Sequence, residues 1–228
     1  GSKRNNFDDL IQKLIQKFPD IQSVVFNLNT RKDNVILGKD YEVLYGREFI
    51  YESCLSNMVK LHFKSFYQVN PVQMEVLYEQ AIKAADLNKD MRCIELYSGV
   101  GTIGMAVSKY VKEVIGVEIV EEAVTAAKEN AEANGLTNCS FLAGDGLKVI
   151  DEIEEKPDFI VLDPPREGIH PKALPKIVDL YRCEKMLYIS CKPTSLARDL
   201  VEFAKYGYRV EKVCCVDVFP GTVHCETV

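Results

Sequence analysis

The chain has 228 residues, 47% hydrophobic and 27% charged, with 28 Lys and Arg against 34 Asp and Glu and a net charge of −6. That length allows one full domain with a smaller piece beside it, and no apolar run approaches the ~18–20 residues of a membrane span. The acidic balance argues weakly against a nucleic-acid partner without excluding a local basic groove, and eight cysteines with no Cys-x-x-Cys pair argue against a disulfide scaffold and against a zinc or iron–sulfur site.

No signal peptide is visible, so the cytoplasm is the expected compartment. Gly1-Ser2 reads as a cloning scar, and the chain as an excised portion of a longer protein. Residues 7–18 place Phe7, Leu10, Ile11, Leu14, Ile15 and Phe18 at helical spacing. The stretches 21–30, 35–53 and 61–70 read as short strands punctuated by Gly38 and Gly46. Residues 1–65 are therefore expected to form a small α+β portion of antiparallel hairpins. Residues 71–86 predict a helix with Asn70 as N-cap and Pro71 in first position.

From residue 91 onward apolar strands alternate with helices, the mark of a mostly parallel sheet covered on both faces. Strands are expected at 91–97, 113–119, 139–145, 158–165 and 184–190. Helices are expected at 101–111, 121–135 and after Cys191, the last capped by Thr194 or Ser195. Residues 208–220 and 224–228 are expected to close the chain as an antiparallel pair. The second division is thus 66–228.

In open α/β sheets a ligand sits beyond the carboxyl ends of the strands. The stretch "ELYSGVGTIG" (95–104) is such an end, where Gly99 and Gly101 let the backbone turn tightly and approach a ligand. Glu118 ends the next strand, placed to bond two ribose hydroxyls. Asp145 ends the third, placed to accept from an adenine amino group. A Gly-x-Gly turn alone is shared with dinucleotide enzymes, but the third glycine of that fingerprint is missing here. Acids at successive strand ends resemble the class I S-adenosylmethionine-dependent methyltransferase fold, a Rossmann-like sheet. Asp163-Pro164-Pro165-Arg166 ends the fourth strand in a rigid loop able to hold a flat base. Cys191 ends the fifth on the same rim.

A thiol there points to nucleophilic catalysis. Carbon 5 of uracil is a poor nucleophile until a thiolate adds at carbon 6. A base must then remove the proton from carbon 5. Glu226, with His224 beside it, is the candidate. Cys214, Cys215 and Cys225 read as packing residues. Arg166, Lys192 and Arg198 read equally well as phosphate contacts or as structural cations.

Taken together, "FYQVN" (66–70), "ELYSGVGTIG", "DPPREG" (163–168), "SCKPTSLARDL" (190–200) and "FPGTVHCETV" (219–228) resemble the uracil-C5 RNA methyltransferase family from about residue 20 to the end. The resemblance implies Cys191 as nucleophile and Glu226 as base. It implies Gln68, Tyr97, Glu118 and Asp163 at the cofactor and base, with Asp145 at a more variable cofactor position. It implies S-adenosyl-L-methionine as cofactor, S-adenosyl-L-homocysteine as product and RNA as partner, with ribosomal RNA favoured over transfer RNA on "FYQVN". Neither a membrane nor a metal is implied for this portion. Lys192 stands where the family usually has asparagine, and Ser195 where it usually has threonine. The lysine is expected to favour the thiolate. Cytosine C5 methylation, and an RNA-binding module with little turnover, are the competing readings. The family's amino-terminal RNA-binding barrel and cysteine cluster have no counterpart in these residues.

Overall fold

A computed structural model describes residues 7–32, 36–149, 153 and 155–228. Gly1-Ser2 and the start of the strand expected from Val35 lie outside the described residues. The chain divides into two compact units, Gly1–Glu52 with Lys60–Ser65, and Ser53–Val59 with Phe66–Val228. Residues 53–59, assigned by sequence to the first portion, belong to the second.

In the first unit, α1 (Asp8–Lys17) precedes β1 (Ser23–Leu28) and β2 (Asp40–Gly46). The two strands pair antiparallel with a bulge between Val24 and Val25. Phe7 and Phe26 tilt against each other at 5.9 Å. The Asn27 side chain fixes the hairpin's far end by accepting from Gly38 N at 2.8 Å and donating to Gly38 O at 3.0 Å. A second hairpin joins β3 (Phe49–Cys54) to β4 (Asn57–His62), of which Ser53–Val59 is counted in the second unit. The strand expected at 61–70 ends at His62, and 63–70 is turn and bend.

The second unit is built on α2 (Pro71–Ala85), whose start follows the expected chemistry: Asn70 Oδ1 accepts from Gln73 N at 3.2 Å and Pro71 opens the helix. Met74, Leu77, Tyr78, Ala81 and Ala85 recur at helical spacing and are buried. Five parallel strands follow: β5 (Arg92–Leu96), β6 (Glu113–Glu118), β7 (Cys139–Ala143), β8 (Phe159–Leu162) and β9 (Lys185–Tyr188). They lie in the order β7-β6-β5-β8-β9. All four side chains of β8 are buried, as expected of a strand covered on both faces. Helices α3 (Thr102–Ser108), α4 (Glu121–Ala133), α5 (Leu174–Tyr181) and α6 (Pro193–Ala204) connect or follow the strands. The sequence reading named no helix at α5, whose Pro175 and the nearby Pro171 disguise the pattern; Pro175 is in fact tolerated in the helix's first turn. Ile94, Ile160 and Leu162 from the sheet pack with Ile177, Leu196 and Phe203 from α5 and α6.

The closing antiparallel pair is far shorter than expected: β10 (Cys215–Val216) and β11 (Glu226–Thr227) are two residues each. Reciprocal backbone bonds between Cys214 and Val228 extend it by one rung. No helix among the described residues is long and apolar enough to cross a membrane.

Candidate active site

The sheet register sets the rim. Leu96 pairs with Val117 on one side and Leu162 on the other; Glu118 pairs with Ala143; Leu162 pairs with Tyr188. The next residues out are therefore Tyr97, Glu118, Asp145, Asp163 and the 189–191 segment, all on one carboxyl edge. The chain reverses its direction of strand addition between β5 and β8, which opens a crevice at Tyr97 and Asp163.

The glycine turn has the shape of a cradle. Tyr97 adopts φ 67°, a left-handed conformation costly for a non-glycine residue. Gly101 has φ 84°, and a Cβ there would meet the Phe141 ring at 2.7 Å, so no other residue fits. A Cβ at Gly99 would meet nothing within 4 Å, which leaves open space above the turn. Glu118 clamps this turn: Oε2 accepts from Gly99 N and Oε1 from Val120 N, both at 3.0 Å. Each oxygen retains a second lone pair of the kind a ribose hydroxyl needs. Asp145 Oδ1 accepts from Leu147 N at 3.0 Å and shapes the loop after β7. Gln68 is half-buried in the segment before α2. Asn70, two residues on, donates to Val218 O at 3.1 Å and ties that segment to the carboxyl-terminal loop.

The last strand completes the site. Ser190 and Thr227 form an isolated antiparallel bridge, each amide donating to the other's carbonyl at 2.9 Å. That bridge brings buried Glu226 alongside Cys191. The electrostatics agree. Burial raises the Cys191 thiol, and the Glu226 and Asp163 charges raise it further, while Arg166 and a backbone hydrogen bond lower it. Asp163 is pushed up to about 7 by burial and then by Glu226. Burial raises Glu226 as well. The thiol and the two carboxyls thus form one group of mutually sensing acids.

Several expectations change. Lys192 does not act on the thiol; Arg166 supplies the favourable positive charge. Helix α6 starts at Pro193 with Lys192 in the cap position, so neither Thr194 nor Ser195 caps it. Ser195 Oγ instead donates to Arg166 O at 3.0 Å. Arg198 is structural, pairing with Asp199 at 2.7 Å and donating to Glu167 O at 2.8 Å. Cys215 is exposed rather than packed. His224 Nδ1 lies 3.0 Å from Arg166 Nη2, a contact that links the Asp163 loop to the loop carrying Glu226.

Two acids were missed. Asp199, 2% exposed, accepts from Ile169 N at 2.8 Å and Tyr188 OH at 2.7 Å and so holds the Asp163–Gly168 loop to β9 and α6. Gly168, at φ 76°, makes room for it, since a Cβ there would lie 2.6 Å from the Asp199 carboxylate. Glu95 is 1% exposed. Neither of its oxygens has a side-chain hydrogen-bond partner. Burial, then the Asp163 charge, raises it well above the usual carboxylate range, while a backbone hydrogen bond from Gly104 lowers it. Among the described residues no group of three His, Cys, Asp or Glu side chains is arranged to hold a metal ion. A separate groove of 840 Å³ between α2 and α3, lined by Glu75, Ile82, Lys109 and Tyr110 among others, shares no residue with this site.

Parallel strands in the order β7-β6-β5-β8-β9, with a glycine turn after β5 and an acid at the end of β6, make this the class I S-adenosylmethionine-dependent methyltransferase fold. A methyltransferase from Agrobacterium tumefaciens, described as SAM-dependent, shares that fold at a TM-score of 0.65 and 16% identity over 93% of this chain and 77% of its own. More specifically, the model of the tRNA (uracil-5-)-methyltransferase family matches residues 4–228, and the chain belongs to that family. A protein of Streptococcus agalactiae named as an uncharacterized RNA methyltransferase is 42% identical over 224 residues, 97% of this chain and 49% of its own length. A Clostridium acetobutylicum protein of the same description is 42% identical over 218 residues, 96% of this chain and 48% of its own. The Pyrococcus abyssi tRNA (uracil-54, C5)-methyltransferase, solved with S-adenosyl-L-homocysteine, superposes at a TM-score of 0.79 with 29% identity, covering 99% of this chain and 53% of that one. The chain spans about half the length of the curated relatives it matches.

Proposed function

We propose that this chain is the catalytic portion of an enzyme that methylates carbon 5 of a uridine in RNA, with S-adenosyl-L-methionine as methyl donor. The observation that carries the reading is the Ser190–Thr227 bridge, which sets Glu226 beside Cys191 within reach of Asp163. Family membership and the Pyrococcus abyssi neighbour support it. The preference for ribosomal RNA expected from residues 66–70 has no support, because the family description and that neighbour both concern tRNA. The proposed substrate is therefore a uridine in RNA.

The open space at Gly99, the Glu118 lone pairs and the Asp145 loop suit a nucleoside with a ribose and an adenine, so these residues and Tyr97 would hold the cofactor, with Gln68 near its reactive end. When bound, that group supplies an electrophilic methyl sulfonium. The chain's own residues do the rest. Cys191 gives its proton to the Asp163 carboxylate, leaving Glu226 ionised for the later step, and its sulfur bonds to carbon 6, which makes carbon 5 nucleophilic. Asp163 holds the base by its polar edge. After methylation Glu226 takes the proton from carbon 5, the sulfur–carbon bond breaks and the thiolate is released. The target base must leave its stack to reach the thiol, which favours loops and single strands.

Single variants separate the two roles. Cys191→Ala should bind S-adenosyl-L-homocysteine and transfer no methyl group. Glu226→Gln should accumulate a covalent complex of protein and methylated RNA on a denaturing gel, because its block comes after addition. An adduct that persists when Cys191 is also replaced by alanine refutes the mechanism.

A further inference from the structure

The first unit gathers aromatic rings and cations within residues 41–64. Arg47 lies over both Phe49, at 5.3 Å from its ring centre, and Tyr51, at 5.2 Å. Lys60 lies over the same Phe49 at 4.5 Å. Lys64 covers Tyr41 at 4.7 Å and Phe63 at 5.6 Å. The rings also meet one another edge-on, Phe49 with Tyr51 at 5.6 Å and Tyr41 with Phe63 at 4.8 Å. Such cation–ring pairs ordinarily occur about once per 70–80 residues, whereas five fall within residues 41–64. The rings are not core: Tyr51 is 47% exposed and Tyr41 38%.

Charge follows the same division. The first unit holds ten Lys and Arg against eight Asp and Glu, net +2, and the remainder of the chain holds 18 against 26, net −8. By net charge alone a polyanion is favoured at the first unit over the second. Flat rings interleaved with cations are the composition that binds nucleic acid by stacking bases and neutralising phosphates. A duplex hides the faces of its bases, so the fitting ligand is a single strand.

We infer that the Arg47–Phe49–Tyr51–Lys60 face, continued by Tyr41 and Lys64, is a stacking platform for single-stranded RNA, holding nucleotides of the substrate other than the one methylated. In the free chain the cations sit on the rings. On binding, bases take the ring faces and the cations turn to the phosphates. The inference rests on the RNA-directed reading above, and its test is kept separate from catalysis. A labelled single-stranded uridine oligonucleotide is titrated with the 228-residue chain by fluorescence anisotropy, with a duplex RNA of equal length alongside. Tyr51→Ala, an exposed change, should weaken single-strand binding about 5- to 100-fold, and Tyr51→Phe should restore most of it. Arg47→Gln should lower the slope of log affinity against log salt by about 0.7 for each phosphate left unneutralised. Unchanged melting and S-adenosyl-L-homocysteine affinity certify the fold of each variant. Wild-type affinity in both Tyr51→Ala and Arg47→Gln overturns the platform, as does tighter binding of the duplex, or a variant that alters self-association and leaves RNA binding untouched. Methyl transfer by the wild-type chain is read separately. Its absence, with Tyr51-dependent RNA binding intact, removes the catalytic reading and leaves the platform standing.

Discussion

Asp163 offers a test of the site's electrostatics that needs neither substrate nor turnover. Its carboxyl moves from an ordinary 3.8 to about 7 because burial penalises the charge and Glu226 repels it. A raised folded-state pKa fixes the sign. Below pH ~4 the group is protonated folded or unfolded and costs nothing. Between pH ~4 and about 7 the unfolded state gives up its proton while the folded state keeps it, so stability falls across that window and levels off once the folded carboxyl has ionised too. At about 1.4 kcal/mol per pH unit the full loss would be about 4 kcal/mol, and the residue's partial exposure to water reduces it to roughly 1–3 kcal/mol. Asp163→Asn removes the titration while keeping the shape. Its stability relative to wild type should therefore climb between pH 4 and 7 and level off above pH 8. Urea unfolding followed by circular dichroism across that range measures the difference. In a Glu226→Gln background Asp163 should titrate lower, and the climb should shift to lower pH. Parallel pH profiles for wild type and Asp163→Asn would show that the carboxyl is ordinarily solvated, and with it the mutual repulsion described for this site would fall.

Other expectations are more direct. Glu118→Ala should weaken S-adenosyl-L-homocysteine binding by about 1–3 kcal/mol in calorimetry, since a charge-assisted acceptor and the clamp on Gly99 are both lost; unchanged affinity in a folded variant removes Glu118 from the cofactor site. Gly101→Ala should cost about 1–3 kcal/mol in thermal unfolding, because φ 84° and the Phe141 ring at 2.7 Å both oppose a Cβ. Asp199→Ala should cost about 2–4 kcal/mol, leaving Ile169 N and Tyr188 OH without their acceptor; a loss under 1 kcal/mol would mean the Asp163–Gly168 loop is held by other means. Arg166→Gln should shift alkylation of Cys191 by iodoacetamide to higher pH and Glu226→Gln to lower pH, read peptide by peptide in a mass spectrometer.

The rim residues were legible because parallel strands end abruptly. An apolar run that stops at a glycine, an acid or a proline marks a carboxyl edge, and Tyr97, Glu118, Asp145, Asp163 and Cys191 each stand at such a stop. Glu95 was not legible, because a strand buried on both faces gives an inward acid no alternation to break. Asp199 was legible in principle: it shares the apolar stripe of α6 with Leu196 and Phe203, three residues before it and four after, where an acid has no reason to be unless something donates to it. The closing antiparallel pair was legible as 208–220 against 224–228, but not its two-residue length nor its bridge to Ser190, a contact 37 residues distant in sequence. The sign of the field at the thiol was also misread. A lysine next in sequence suggested an electropositive nest, yet the folded chain surrounds Cys191 with two carboxyls and raises its pKa. A resting thiol in such a place is protonated and slow to react with stray electrophiles. Under the proposed mechanism it becomes a nucleophile by handing its proton to Asp163, whose carboxyl, held at about 7, is partly ionised and able to accept it at neutral pH. On the proposed reading, the acidity that looks hostile to a thiolate delays its formation until a base is there to be attacked.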